Sequence, residues 1–427
     1  MNEALAMPTR PRAAWPWAGL ATVVFLGVTA GVQMSDRGLQ SILSPAIRET
    51  FGVGDAVIGA LHGIAGILIA SALAMPLARL ADRHSRKTIL LGLIAAWTAL
   101  TLLGALAPNF PLFFVGRAAA GITEFAMIPI VYSLIPDLVG ERWRVGANLG
   151  FAALMATGAS AGFYLGGDLL HWVSGLGGIG WLADHDPWRK AMLVLALAGL
   201  PLLLAGSFTR DPPRHVVTDS APQVASLLAF VRANLWQVLL FIGAAGGVAV
   251  AVQAVTPMAA MALVRRFSAD LEAIGHTLGM LILVGNMASL LIAWGVDRAL
   301  RSRFGARGRP AIMGVATAIA IPCAGLLAVA TSVSVALALV GAFLLATCVA
   351  NALLPTMLQD LAPVELRARA FAGYSFVIAA FCALGPVLSG GISQFLLADD
   401  LLSAMSFAAV PVMGVTLVCT FLWWSRS

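Results

Sequence analysis

Apolar runs of about twenty residues or more recur along the chain, separated by short stretches rich in Arg, Asp, Gly and Pro. A helix needs about 20 residues to cross the hydrocarbon core of a bilayer. Twelve stretches qualify, at about 15–46, 56–79, 87–107, 111–137, 145–170, 189–208, 236–264, 272–299, 310–330, 333–360, 367–395 and 401–424. The widest polar interval, at 209–234, contains Pro212, Pro213 and Pro222, which prevent a continuous helix there. It divides the spans six and six. The pattern predicts an all-α membrane protein with a tail at 1–14, a six-helix bundle at 15–208, an inter-bundle loop at 209–235 and a second six-helix bundle at 236–427.

Composition agrees with the pattern. Sixty per cent of the residues are apolar and only 11% are charged, far from the balance of a soluble domain. The net charge of +6 does not point to nucleic acid, because the basic residues lie in short loops between spans rather than in one patch. Most of those basic residues fall in alternate loops, the ones shared with both termini. The positive-inside bias therefore places both termini in the cytoplasm, and we expect the chain in the inner (cytoplasmic) membrane of a bacterium. Arg10 and Arg12 precede a long apolar segment with no small-residue cleavage site, so an uncleaved first helix is expected. The four cysteines all lie in apolar segments of the second half and suggest neither a disulfide framework nor a metal site. No cofactor is expected, and no nucleophile–base constellation supports an enzyme.

Charges inside spans change the picture more. The fourth span carries Arg117 and Glu124 among otherwise apolar residues. An ionised group at the centre of a span costs about 2.5–3.5 kcal/mol on insertion scales, so such groups face a bundle interior or a watery cavity. Seven positions apart on a helix, the two share a face but sit about 10 Å apart along the axis, too far for a simple pair. The first span carries Asp36 and Arg37 at about the depth of Arg117, if it enters near Trp17. Adjacent residues point about 100° apart, so one can face the fourth helix while the other faces a cavity. The four charges sum to zero, as a largely desolvated site prefers.

The halves also repeat weakly. ADRHSRK (81–87) corresponds to VDRALRSRFGARGR (296–309), and DLVGERWR (137–144) to DLAPVELRAR (360–369). With Ala78, Asp82, Arg83, Ser85, Arg86 and Lys87 after the second span, the chain resembles the major facilitator superfamily, although both glycines of that family's loop motif are replaced. SDRGLQSILSPAIRETFGVGDAVIGAL, PLARLADRHSRK and GRAAAGITEFAMIPIVYSLIPDLVGERWR narrow the resemblance to spinster-like lipid transporters. It covers the first half almost throughout, and the second half only in spacing and loop motifs. The resemblance implies the major facilitator fold, with a substrate site between the halves near the bilayer middle. It also implies gating by Asp82, Arg83 and Arg86, with Asp297 and Arg298 at the repeated position. His62 is placed near the cavity by the same resemblance, as a substrate-site or proton-relay residue; a histidine packed on a backbone carbonyl is the plainer alternative.

The expected function is transport of an anionic substrate coupled to protons across the lipid bilayer, by a monomer. Glu124, the deeper carboxylate, is expected to be the main proton switch with Asp36 as its partner, while Arg37 and Arg117 hold the substrate's anionic group through their planar donor forks. The leading expectation is an amphipathic anion such as a lysophospholipid or sphingoid phosphate; the rival is a small organic anion such as a sugar acid. A second-half wall of Leu, Val and Ala would favour the lipid, and one of Asn, Gln and Tyr the small acid. Gln253, Asn286 and Asn351 are the polar candidates there. A membrane sensor that binds without transporting is the alternative from another class.

Overall fold

Helices dominate because the spans have no water to satisfy backbone amides and carbonyls, which must pair within each segment. The computed structural model describes residues 16–73, 77, 84–175, 184–209, 224–305, 308–363 and 366–426, and no strand occurs among them. Twelve helices are long and apolar enough to cross a bilayer. In the first half they are α1 (Ala18–Phe51), α2 (Asp55–Leu73), α3 (Arg86–Ala105), α4 (Phe110–Leu138), α5 (Gly146–Ser174) and α6 (Pro187–Ser207). In the second half they are α7 (Leu235–Val255), α8 (Leu271–Leu300), α9 (Gly308–Val329), α10 (Val333–Leu361), α11 (Arg369–Leu396) and α12 (Leu401–Ser425). A short helix, Val224–Ala233, precedes α7.

The repeat is written into the fold. Helices α4 and α10 each have 29 residues. Each is capped by a side chain at the residue before it: Asn109 accepts from the Leu112 amide at 3.0 Å and Ser332 from the Val335 amide at 3.3 Å. At their far ends, Arg86 donates to Asp137 at 2.6 Å and Arg309 donates to Asp360, each pair 51 positions apart. In this register Arg117 and Glu124 of α4 correspond to Val340 and Thr347 of α10, both fully buried. The second bundle therefore holds uncharged side chains, one of them the backbone-bonded Thr347, at the positions where the first keeps charge.

Glycine seams set the helix spacing. A Cβ on Gly158 or Gly162 of α5 would overlap the α1 backbone at Gly31 or Ser35, so α1 and α5 pack backbone to backbone. With that face taken by α5, α1 turns Asp36 and Arg37 toward α4.

One element differs from the expected span. The stretch at 236–264 is interrupted after Val255 and resumes as the separate helix Ala259–Phe267. Pro257, which lacks an amide proton and disfavours helical geometry before it, sits at the interruption. Its carbonyl accepts the Ser41 hydroxyl of α1 at 2.6 Å, so the break joins the two halves.

Candidate functional site

The charge cluster lies between α1 and α4. Arg117 donates from Nη1 to Asp36 Oδ2 at 2.8 Å, and from Nε and Nη2 to Gln40 Oε1 at 3.2 and 3.0 Å. Arg37 donates from Nε to Glu124 Oε2 at 3.0 Å, and its guanidinium carbon lies 4.3 Å from the centre of the Phe125 ring. Both first-helix charges thus face α4. Their exposure differs: the Arg117 side chain is 4% exposed and that of Arg37 is 32% exposed.

That difference is explained by a cavity of about 120 Å³ between the halves. Arg37, Gln40, His62 and Phe163 line it from the first half; Gln253, Thr256, Pro257 and Pro386 close it from the second. Arg117 is not in its wall, because Asp36 and Gln40 hold the guanidinium behind it. Three buried donors on the lining have no protein partner: Arg37 Nη2, Gln40 Nε2 and Thr256 Oγ1. A buried polar group left without a partner costs about 1–3 kcal/mol, so three such donors on residues lining one cavity suit a ligand rich in acceptor oxygens. Glu124 Oε1, also buried and without a partner, leaves one carboxylate oxygen free beside Arg37.

His62 reaches the cavity through an unusual helix. Leu61–Ile69 of α2 is π-helical over nine residues, a form usually limited to one turn and frequent at functional sites. His62 Nε2 lies 2.9 Å from Ser44 Oγ, so its partner is a side-chain hydroxyl and not a backbone carbonyl. Among the second-half polar candidates, Gln253 lines the cavity. Asn286 instead donates to the Ile282 carbonyl and receives the Cys348 thiol, while Asn351 is exposed.

Above the cavity, toward Phe51, the halves are locked together. Asp55, fully buried at the start of α2, accepts both terminal nitrogens of Arg265 at 2.7 and 2.8 Å and the Ser393 hydroxyl at 2.6 Å, and Arg48 Nε lies 2.9 Å away. Arg265 also donates to the Asp399 carbonyl, and Gln394 accepts the Ala56 amide. These hydrogen bonds to Asp55 hold the Arg265 guanidinium above its ordinary pKa, so it stays charged at any accessible pH. The sequence shows Asp55, Arg48 and Arg265 only as isolated loop charges. Asp55, an acid at the mouth of a span, is the one signal that could have drawn attention to this latch.

The expected gating residues lie at the other end. Arg86 bonds Asp137 and the Ser133 carbonyl. Asp297 accepts from Arg309 Nε at 3.1 Å, and Arg298 lies 5.9 Å from the Trp294 ring centre. Asp82 and Arg83 lie outside the described residues.

Twelve helices long and apolar enough to cross a bilayer, in two repeated sets of six with a cavity between them closed at one end, form the architecture shared by membrane carriers. The sequence model of the Major Facilitator Superfamily matches residues 25–386, and the chain belongs to that family. A gallate transporter of Pseudomonas putida is 30% identical over 229 residues, covering 52% of this chain and 46% of the relative. The 3-(3-hydroxy-phenyl)propionate transporter of Escherichia coli (strain K12) is 29% identical over 165 residues, 37% of this chain and 40% of the relative. Each match thus spans less than half of the relative's length. The crystal structure of a bacterial homolog of the human lysosomal transporter spinster, in an inward-facing and unoccupied conformation, superposes with a TM-score of 0.76 at 19% identity, covering 97% of this chain and 96% of that one.

Proposed function

We propose that the protein is a proton-coupled secondary carrier of organic anions, and that small aromatic carboxylates are the substrate class its cavity fits best. Arg37 Nη2, Gln40 Nε2 and Thr256 Oγ1 carry the reading: three unpartnered donors, contributed by both halves, belong to residues that line one cavity. A carboxylate offers about four acceptor positions and matches a guanidinium fork. At about 120 Å³ the cavity is smaller than the roughly 150 Å³ that admits a benzene ring, so it excludes a lipid tail and must widen to take an aromatic acid, with Met34, Ile67, Ala159, Phe163, Pro257 and Pro386 as its apolar contacts. The second-half wall offers Gln253 and Thr256 rather than Leu, Val and Ala, which favours a small acid over a lipid. Relatives named for gallate and 3-(3-hydroxy-phenyl)propionate support the same class.

Coupling follows from the pairs. A proton on Glu124 cancels the charge that holds Arg37, freeing its guanidinium for the substrate. Asp36 is the second carboxylate of the coupling set, acting through Arg117, which positions Asp36 and Gln40 without touching substrate. In this reading the termini are cytoplasmic, the chain is a monomer in a bacterial inner membrane, and the Asp55 latch closes the periplasmic side. Asp82, Arg83, Arg86, Asp297 and Arg298 serve the cytoplasmic gate. The second reading is an amphipathic anion of lysophospholipid type. It is favoured by the spinster-like fold and by an apolar cavity of about 470 Å³ among α8, α9 and α10, lined by aliphatic residues such as Ile292, Leu300 and Ile319.

Calorimetry on the purified protein, with a hydroxybenzoate, a sugar acid and a lysophospholipid, tests the assignment. The hydroxybenzoate should bind best, and Arg37→Ala should weaken it at least about tenfold, the loss of one charge-assisted hydrogen bond. Binding by the lysophospholipid alone, or an Arg37→Ala protein that binds as well as wild type, would overturn it.

A further inference from the structure

A second polar cluster joins the halves away from the central cavity. Asp168 comes from α5; Glu272 and His276 come from α8, four positions apart and so on one helix face. One ligand atom from each lies within 4.8 Å of the other two. The helices meet closely here because Gly167 has no side chain: a Cβ would run into the Glu272 backbone. Below, Ser160 Oγ donates to the Gly279 carbonyl at 2.5 Å and fixes the register of the same helix pair.

We infer that Asp168, Glu272 and His276 form a divalent-cation site, of the zinc class, that clamps the two halves together at the closed end. Four observations support it. His276 Nε2 lies 2.8 Å from Asp168 Oδ2, so the imidazole is already aimed across the interface. The Tyr164 ring packs on that imidazole with centres 4.5 Å apart and fixes its plane. No cation among the described residues pairs with Glu272, leaving two carboxylates against one histidine, a charge balance that favours a dication. A separate cavity of about 380 Å³, bordered by Gly167, His171, Asp270 and Glu272, gives an ion a way in and room for water.

One imidazole nitrogen with two carboxylate oxygens suits Zn²⁺ in tetrahedral coordination with a fourth ligand from water. Mg²⁺ and Ca²⁺ prefer more oxygens than the cluster offers. Ligation uses the Nε2 lone pair, so any proton that nitrogen carries is released to solvent when the ion enters. Because the ligands come from both halves, the ion binds only where α5 and α8 touch, and it favours this conformation over one in which they part. No such site follows from the sequence, where Asp168 and Glu272 lie in different halves.

The test uses full-length, tag-free protein in detergent, with Zn²⁺ alone as probe. Titration calorimetry should give one ion per chain, and Asp168→Asn, Glu272→Gln and His276→Gln should each weaken it at least about tenfold. His84→Gln, at the opposite end, should leave it unchanged. Mg²⁺ at the same concentrations should give no heat. Hydrogen exchange on wild-type protein separates a clamp from one-sided binding: Zn²⁺ should slow segments 160–174 and 271–280 together. Absence of stoichiometric Zn²⁺ binding, binding that survives Asp168→Asn at full strength, or protection confined to 271–280 would each overturn the proposal.

Discussion

Arg37 and Arg117 each pair with a buried carboxylate, yet their surroundings assign them different work. Arg117 has three of its nitrogens engaged by Asp36 and Gln40 and almost no exposure. Arg117→Ala would leave Asp36 as an uncompensated buried charge, which costs about 3–5 kcal/mol, so it should lower the melting temperature before any binding effect can be read. Arg37→Lys keeps a cation beside the equally buried Glu124 and should fold, yet lose anion binding, because it gives up the donor fork that reaches the cavity. Differential scanning fluorimetry beside ligand titration separates the two; equal loss of stability in both variants would contradict the distinction. Glu124→Gln keeps an acceptor for Arg37 but cannot take up a proton. It should bind substrate with no pH dependence and fail to accumulate it under a pH gradient, which flux measurements at two pH values would show. If that variant still concentrates substrate as well as wild type, Asp36 becomes the carboxylate to test.

At the scale of elements, the twelve spans were legible because length and hydropathy are properties of each segment alone. Span ends agree within a few residues in most cases, as for the expected 111–137 against Phe110–Leu138. The break at Pro257 was not anticipated, since the apolar run continues through it and only the Ser41 contact from the other half shows why the interruption is retained. The π-helical Leu61–Ile69 carries no sequence mark either. The charge cluster was legible because charges within spans are costly wherever the helix goes. Its unpartnered donors were not, because Gln40 and Thr256 line the same cavity from different halves. The glycine seam supplies a test at this scale: Gly158→Val should push α5 off α1 and sharply lower the yield of folded protein, whereas Gly146→Ala, where a Cβ meets nothing within 4 Å, should be neutral by size-exclusion profile and melting temperature. Asp55→Asn should loosen the latch without dismantling it, since the amide still accepts from Arg265. A cysteine placed at Gln253 should then become more reactive to a bulky thiol reagent added from the latch side; unchanged labelling would show that the latch does not hold that end shut.

For the whole molecule, the two halves share a repeat but divide the work. The first carries the charged pairs, while the second, with Val340 and Thr347 at the equivalent positions, contributes Gln253, Thr256 and two prolines to the cavity wall and one arm of the latch. Under the proposed function, the Asp55 latch parts while the pairs at Asp137 and Asp360 hold or re-form, and a proton on Glu124 is proposed as the event that ties this exchange to substrate. The most direct measurement is uptake by purified protein in liposomes under an imposed pH gradient, using a hydroxybenzoate with a sugar acid and a lysophospholipid for comparison. The expected result is saturable, gradient-driven movement of the hydroxybenzoate that is abolished in Arg37→Ala and loses its pH dependence in Glu124→Gln. Binding of that anion without any movement across the bilayer, or movement indifferent to both substitutions, would contradict it.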